Sequence, residues 1–177
     1  MFEQRDLGFI HKYFMAEKQE SLLFLLVGIV AIILAVIFFF FIKANPLFFK
    51  GAAIPLLALG LLQAITGYTV YARSDKQRLE VSYNAGMEPV RYIKSEELPR
   101  MKTVMRNFET WRWLEILFLI TGIAMIFLFR KNEAKIFLYG LGITLAIQVL
   151  LLLLADGFAE RRGAAYTKKL EAFIYPN

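Results

Sequence analysis

The 177-residue chain contains no cysteine and a single histidine, His11. Without cysteine there is no disulfide framework, no thiol redox chemistry, no thiolate-bound zinc and no iron–sulfur cluster. One imidazole cannot supply a bis-histidine haem or a histidine-rich metal site. It also leaves any Ser/His/Asp arrangement without a deep partner. No glycine-rich phosphate loop and no nucleophile elbow occurs. These absences lead us to expect no cofactor, no metal and no catalytic residue. Charge is also sparse, at 20% of residues, where soluble domains carry about 25%.

What the chain has in excess is apolar surface. Hydrophobic residues make up 58% of it, with 17 Phe, against about 45–50% in ordinary soluble domains. The surplus sits in four blocks. A bilayer core about 30 Å thick needs about 20 apolar residues in a helix, and the blocks at 22–42, 47–71, 113–129 and 136–155 meet or approach that length. The reading is therefore four transmembrane helices, the third the shortest, with Trp111 and Trp113 at an aromatic belt. The leader before the first block carries mixed charge, and no small-residue cleavage site follows the block. The first helix is thus expected to stay as an anchor rather than be removed as a signal peptide.

Four crossings put both termini on one side. Sixteen of the 21 basic residues fall on that side, from Arg5 to Lys169, and five on the other: Lys43, Lys50, Arg130, Lys131 and Lys135. The positive-inside rule then places both termini in the cytoplasm of a multi-pass protein, of the type found in the bacterial inner membrane. Fourteen of the 15 acids share the cytoplasmic side, so the net charge of +6 reflects topology and anionic headgroups. With no basic stripe interleaved with stacking aromatics, nucleic acid is not an expected partner.

The chain reads as internally doubled. A shift of 94 lays Leu23, Phe24, Leu25, Gly28, Ile29 and Ile32 on Leu117, Phe118, Leu119, Gly122, Ile123 and Ile126. It also lays Lys12, Phe14 and Lys18 on Arg106, Phe108 and Arg112. In the second helix of each pair a shift of 85 lays Gln63 on Gln148 and Asp75-Lys76 on Glu160-Arg161. The expected fold is all-α: two tandem helical hairpins related by an axis along the membrane normal, with cytoplasmic amphipathic extensions. The first unit covers 1–83, a cytoplasmic loop covers 84–94, and the second unit covers 95–177. Leu7, Ile10 and Phe14 before the first span, and Leu98, Met101, Met105 and Phe108 before the third, follow helical spacing. The second helix is expected to end at Asn84-Ala85-Gly86. Ser95 is expected to open the next helix, with Pro99 in its first turn, and Pro55 to kink the second span.

Gln63 and Gln148 lie deep within spans, where an unpaired amide is costly. One arrangement pairs them with each other or with nearby Thr as interhelical glue. The other makes Gln63, Thr66, Thr144 and Gln148, leading to Asp156, the lining of a binding site or pore. Gly28, Gly60, Gly67, Gly122 and Gly142 are candidates for close helix packing. Arg112, Glu115, Glu160 and Arg161 are candidates for ion pairs at the membrane rim, with Arg112 one turn from Glu115. The Arg161-Arg162 pair can snorkel to phosphates.

The functional expectation is non-enzymatic: a small integral membrane protein that associates through its helices with a membrane partner or with its own copies. It would serve as an accessory, immunity or scaffold subunit. Two alternatives stand beside it. One is a small oligomeric channel or transporter using the Gln/Thr seam. The other is a membrane-interface enzyme acting on lipid, with Glu115 or Asp156 as base.

Overall fold

A computed structural model describes residues 7–175. Arg5 of the charge count therefore lies outside the described residues, as do both extreme ends of the two units. Among the described residues there is no strand. Helix α1 spans Gly8–Phe40, α2 Pro46–Met87, α3 Pro89–Tyr92, α4 Leu98–Phe129 and α5 Ile136–Ile174. A π-helical turn, Ile93–Glu97, joins α3 to α4, and a 3₁₀ turn, Glu133–Lys135, precedes α5. Four of these helices are long and apolar enough to cross a membrane.

The buried positions explain how the helices pair. Along α1 they include Glu17, Ser21, Gly28, Ala31 and Ala35, which recur in steps of three and four or their sums. That spacing is the seam of helices packed nearly side by side. Along α2 they include Ala53, Leu56, Gly60, Gln63, Gly67 and Ser74, with the same spacing. Most of these residues are small, so the two backbones approach closely. The other faces of the apolar segments are apolar too. Leu23, Phe40, Leu117, Phe127 and Leu128 are all well exposed. A helix hydrophobic all round is one that something apolar must cover.

The long helices stand in a row rather than a closed ring. Helix α1 packs along α2, α2 on α5, and α5 on α4, with a smaller contact between α1 and α5. Helix α4 is an outer member whose long-helix neighbour is α5. Its buried residues are Leu98, Met101, Glu115 and Gly122 alone.

At the end where α1 begins and α5 finishes, here the polar end, the helices run past their apolar segments and enclose a core of their own. Ile10, Tyr13, Phe14, Val81, Ala85, Ile93, Leu98, Met101, Tyr166 and Leu170 form it. This core accounts for two departures from the sequence reading. Ala85 and Ile93 are fully buried in it, so α2 continues through Asn84-Ala85-Gly86 to Met87. It breaks only at Glu88, ahead of Pro89. The expected loop at 84–94 is thus mostly helical. Ser95 opens no helix. It lies inside the π turn, where its Oγ donates to the Arg91 carbonyl at 2.9 Å. Pro89 and Pro99 each sit at a helix start, where a missing N–H costs nothing.

At the opposite, turn end, Asn45 adopts a left-handed conformation (φ 47°), which Asn tolerates better than other residues with a Cβ. Pro46 then begins α2. Pro55 is buried inside α2, which passes through it without interruption.

Candidate functional site

The buried amides meet. Gln148 of α5 donates through Nε2 to Oε1 of Gln63 on α2 at 2.6 Å, and both side chains are almost fully buried. Helical steps put them there. Gln63 shares the seam of Gly60 and Gly67, and Gln148 lies between Ala146 and Val149 on the buried face of α5. Each amide thus answers the other at a buried position.

The remaining seam residues do not extend this pair into a path. Thr66 lies on the exposed face of α2. Thr144 is half-buried, and its hydroxyl donates back to the Gly140 carbonyl of its own helix at 3.1 Å. Asp156 sits two turns beyond Gln148 and meets Glu115 of α4 instead.

Glu115 and Asp156 form the second cluster. Glu115 is 8% exposed, and its Oε2 is buried without a hydrogen-bond partner among the described residues. The two carboxyl groups thus face each other across the α4–α5 seam. Arg112, one turn away, does not serve Glu115. Its Nη1 reaches across to both carboxylate oxygens of Glu160 on α5, at 2.8 and 2.9 Å. Arg161 is exposed. Arg162 turns inward, and forms an ion pair with Glu20 of α1.

The glycine candidates sit at close helix approaches. A Cβ on Gly28 would lie 2.7 Å from the Gly60 carbonyl and 2.6 Å from the Ala64 nitrogen. On Gly67 it would lie 2.8 Å from the Ser21 carbonyl. On Gly122 it would lie 3.1 Å from the Gly142 carbonyl and 2.9 Å from the Ala146 nitrogen. A further pair joins α2 to α5 at the turn end. Gly51 stands against the Phe137 carbonyl, and Gly140 against the Phe48 carbonyl. Sequence reasoning missed the Gly51 contact. Its signal was the recurrence of Phe-x-x-Gly at 48–51 and 137–140.

Sequence reasoning also missed the acid at the heart of the polar end. Glu97 is 1% exposed. It accepts from Arg100 Nε and Nη2 at 2.8 and 2.7 Å, and from the Tyr166 hydroxyl at 2.8 Å. The fork of Arg100 matches the carboxylate, as a buried ion pair requires. Burial works against the charge of Arg100, and the Glu97 contact more than offsets it, so the guanidinium is held above its ordinary range. The Tyr166 ring stacks on Tyr13 with centroids 4.1 Å apart. Burial first, then the charge of Glu17, pushes the Tyr13 phenol up to about 12. Comparison of the chain with protein-family models, with curated proteins and with solved structures yields no match to any of them.

Proposed function

We propose that the protein is a multi-pass integral membrane protein of bacterial inner-membrane type, built from two tandem hairpins with both termini in the cytoplasm. Its role is non-enzymatic, carried out by helix association with a membrane partner or with a second copy. The turn end then faces outward, and the polar end forms a small cytoplasmic layer.

Two recurring contacts support the tandem duplication. Gly28 against Gly60 and Ala64 has the same form as Gly122 against Gly142 and Ala146. The ion pair of Lys18 with Asp75 has the same form as that of Arg112 with Glu160. On the first helices both contacts recur at the shift of 94 read from the sequence. On the second helices the ion pair recurs at 85 and the glycine contact at 82. By the glycine register, Gln63 and Gln148 are partners rather than equivalents.

The association reading is carried by the burial of α4. The helix rests on α5 and leaves its remaining faces, including Leu117, Ile120, Phe127 and Leu128, exposed. In a bilayer, small faces and polar caps rather than hydrophobicity select the helix neighbour. The cysteine-free chain permits a clean test. Single cysteines at Leu117, Ile120 and Leu128 are crosslinked in native membranes with a bifunctional maleimide. Discrete adducts with a second copy or with one membrane protein are expected. A monomer by detergent mass measurement, with no adduct at any of the three positions, would refute the proposal.

A second reading rests on the carboxyl pair. Position 21 and position 115 correspond at the shift of 94, yet the first hairpin holds Ser21 where the second holds Glu115. The scaffold is repeated while the acid is not. That asymmetry favours proton-dependent solute movement at a cytoplasmic vestibule between α4 and α5. Proton-gradient-driven flux in liposomes, abolished by Glu115→Gln in a folded variant, would support it. Absence of any flux in the parent removes it.

A further inference from the structure

At the polar end, α1 and α5 flank a groove of about 160 Å³. That is well above the roughly 10–15 Å³ that admits a single water. Phe9, Lys12 and Tyr13 line it from α1, and Arg162, Tyr166 and Lys169 from α5. Each set follows helical spacing, so each helix turns one stripe toward the groove. The floor is the stacked pair Tyr13–Tyr166, with Phe9 tilted against Tyr166 at 5.7 Å. The rim is cationic, and no acid lines the groove.

Two of the three cations lack a counter-charge. Lys12 and Lys169 have no ion-pair partner among the described residues, a state they share with Arg73, Lys76, Lys94, Arg106, Arg161 and Lys168; what sets them apart is that they face one groove together with Arg162. Arg162 pairs with Glu20, yet its Nε is buried without a hydrogen-bond partner. Its plane also lies over the Tyr13 ring at 5.6 Å. Burial holds this guanidinium below its ordinary range, partly offset by Tyr13 and Glu17. A guanidinium so placed gains from a further anion with several oxygens, the geometry that favours phosphate.

We propose that this groove is a binding site for a phosphoryl group, held by Lys12, Arg162 and Lys169, with the Tyr13–Tyr166 stack beneath its organic part. The site is independent of the helix-association reading and uses neither Glu115 nor α4. On the topology proposed above, Arg162 lies seven residues past the apolar end of α5, about 10 Å along the helix. The groove therefore opens at the outer edge of the headgroup layer, where the phosphoryl group comes from an anionic phospholipid or from a soluble phosphate ester.

The test uses the full chain, delipidated in a phosphate-free detergent and checked for helix content by circular dichroism. Calorimetric titration is made with glycerol 3-phosphate and, separately, with a short-chain phosphatidic acid. The variant is Lys12→Gln with Lys169→Gln, both exposed positions whose loss leaves the core intact. The control is Lys76→Gln with Lys168→Gln, which removes the same charge elsewhere on the polar end. At least one probe is expected to bind the parent. The groove variant should weaken it by about tenfold or more, and the control should not. Binding of the lipid alone assigns a headgroup site, and binding of the ester assigns a soluble ligand. Failure of both probes to bind, or an equal loss in variant and control, overturns the proposal.

Discussion

The Tyr166 hydroxyl donates to Oε1 of Glu97 at 2.8 Å and so ties the last turns of α5 to the π turn that leads into α4. This bond closes the polar-end core around a carboxylate that water scarcely reaches. Its removal tests whether that core is a cooperative unit. Tyr166→Phe keeps the stack on Tyr13 and leaves Arg100 as the sole donor to Glu97. The expected loss is about 1.5–3 kcal/mol, the range for a hydrogen bond to a charged group. Glu97→Gln should cost more, about 3–5 kcal/mol, because Arg100 is then left part-buried without its counter-charge. Thermal unfolding in detergent, with hydrogen exchange over residues 93–101, reads both. An effect of equal size in the two variants would show that the ion pair contributes nothing beyond the phenol.

The same core should be sensitive to alkali. Tyr13 titrates at about 12 in the folded chain, against 10.0 for an ordinary phenol, chiefly because burial disfavours the phenolate. Tyr166 is also held above the ordinary value, by burial first and by Glu97 next. The unfolded chain therefore loses these protons before the folded chain does. Tyr13's share of the resulting stabilisation is complete below pH 10.0 and disappears as pH rises through about 12. Stability measured across that window should fall in the parent and fall less steeply in Tyr13→Phe. Tyrosinate absorbance should show late-titrating phenols that become ordinary in denaturant. Identical slopes for parent and variant would contradict the burial of Tyr13.

The long apolar helices were legible because their signal is length and hydropathy, which neighbours do not alter. Gln63 and Gln148 were legible as a pair because an amide deep in an apolar helix has few partners to choose from. The polar end was less legible. Glu97 stands in a charged stretch, Lys94-Ser95-Glu96-Glu97, where local sequence reads as a solvated helix start. Only Tyr166, sixty-nine positions later, reveals which of its acids is enclosed. Arg112 was ambiguous for the same reason. Glu115 is near in sequence, but Glu160 lies across the α4–α5 seam, and the cross-helix partner prevailed. The departure at Asn84-Ala85-Gly86 came from a small residue, Ala85, that tertiary packing fills even though local propensity favours a stop.

The glycines divide into two groups with opposite predictions. At Gly51 a Cβ would meet the Phe137 carbonyl at 2.0 Å, and at Gly140 the Phe48 carbonyl at 2.2 Å. Backbone atoms cannot yield as a flexible side chain can, so Gly51→Ala or Gly140→Ala must part α2 from α5 at the turn end. A loss of about 1–3 kcal/mol is expected. Gly86 and Gly157 meet nothing within 4 Å and lie inside helices, so Gly86→Ala and Gly157→Ala should stabilise by about 0.5–1 kcal/mol. Midpoints of thermal unfolding for the four variants check the division. Stabilisation by Gly51→Ala would mean that the turn-end contact is absent.

The Gln63–Gln148 pair lends itself to a double-mutant cycle, because truncating one amide and truncating both have different physical consequences. Gln63→Leu alone leaves Gln148 Nε2 without its acceptor at 2.6 Å, at a position almost fully buried. Gln148→Leu alone strands the Gln63 carbonyl in the same way. Each single change should cost about 1–2 kcal/mol, the desolvation of an unpaired amide. In the double variant no polar group is left unsatisfied, and leucine fills a comparable volume, so stability should return close to the parent value. The coupling energy recovered from the cycle should be about 0.6–1.7 kcal/mol, as for other interhelical hydrogen bonds between apolar helices. Additive losses would show that the two amides act separately, each toward some other group. Water or a solute between them would then replace the direct bond, and the lining role of the seam would regain its support.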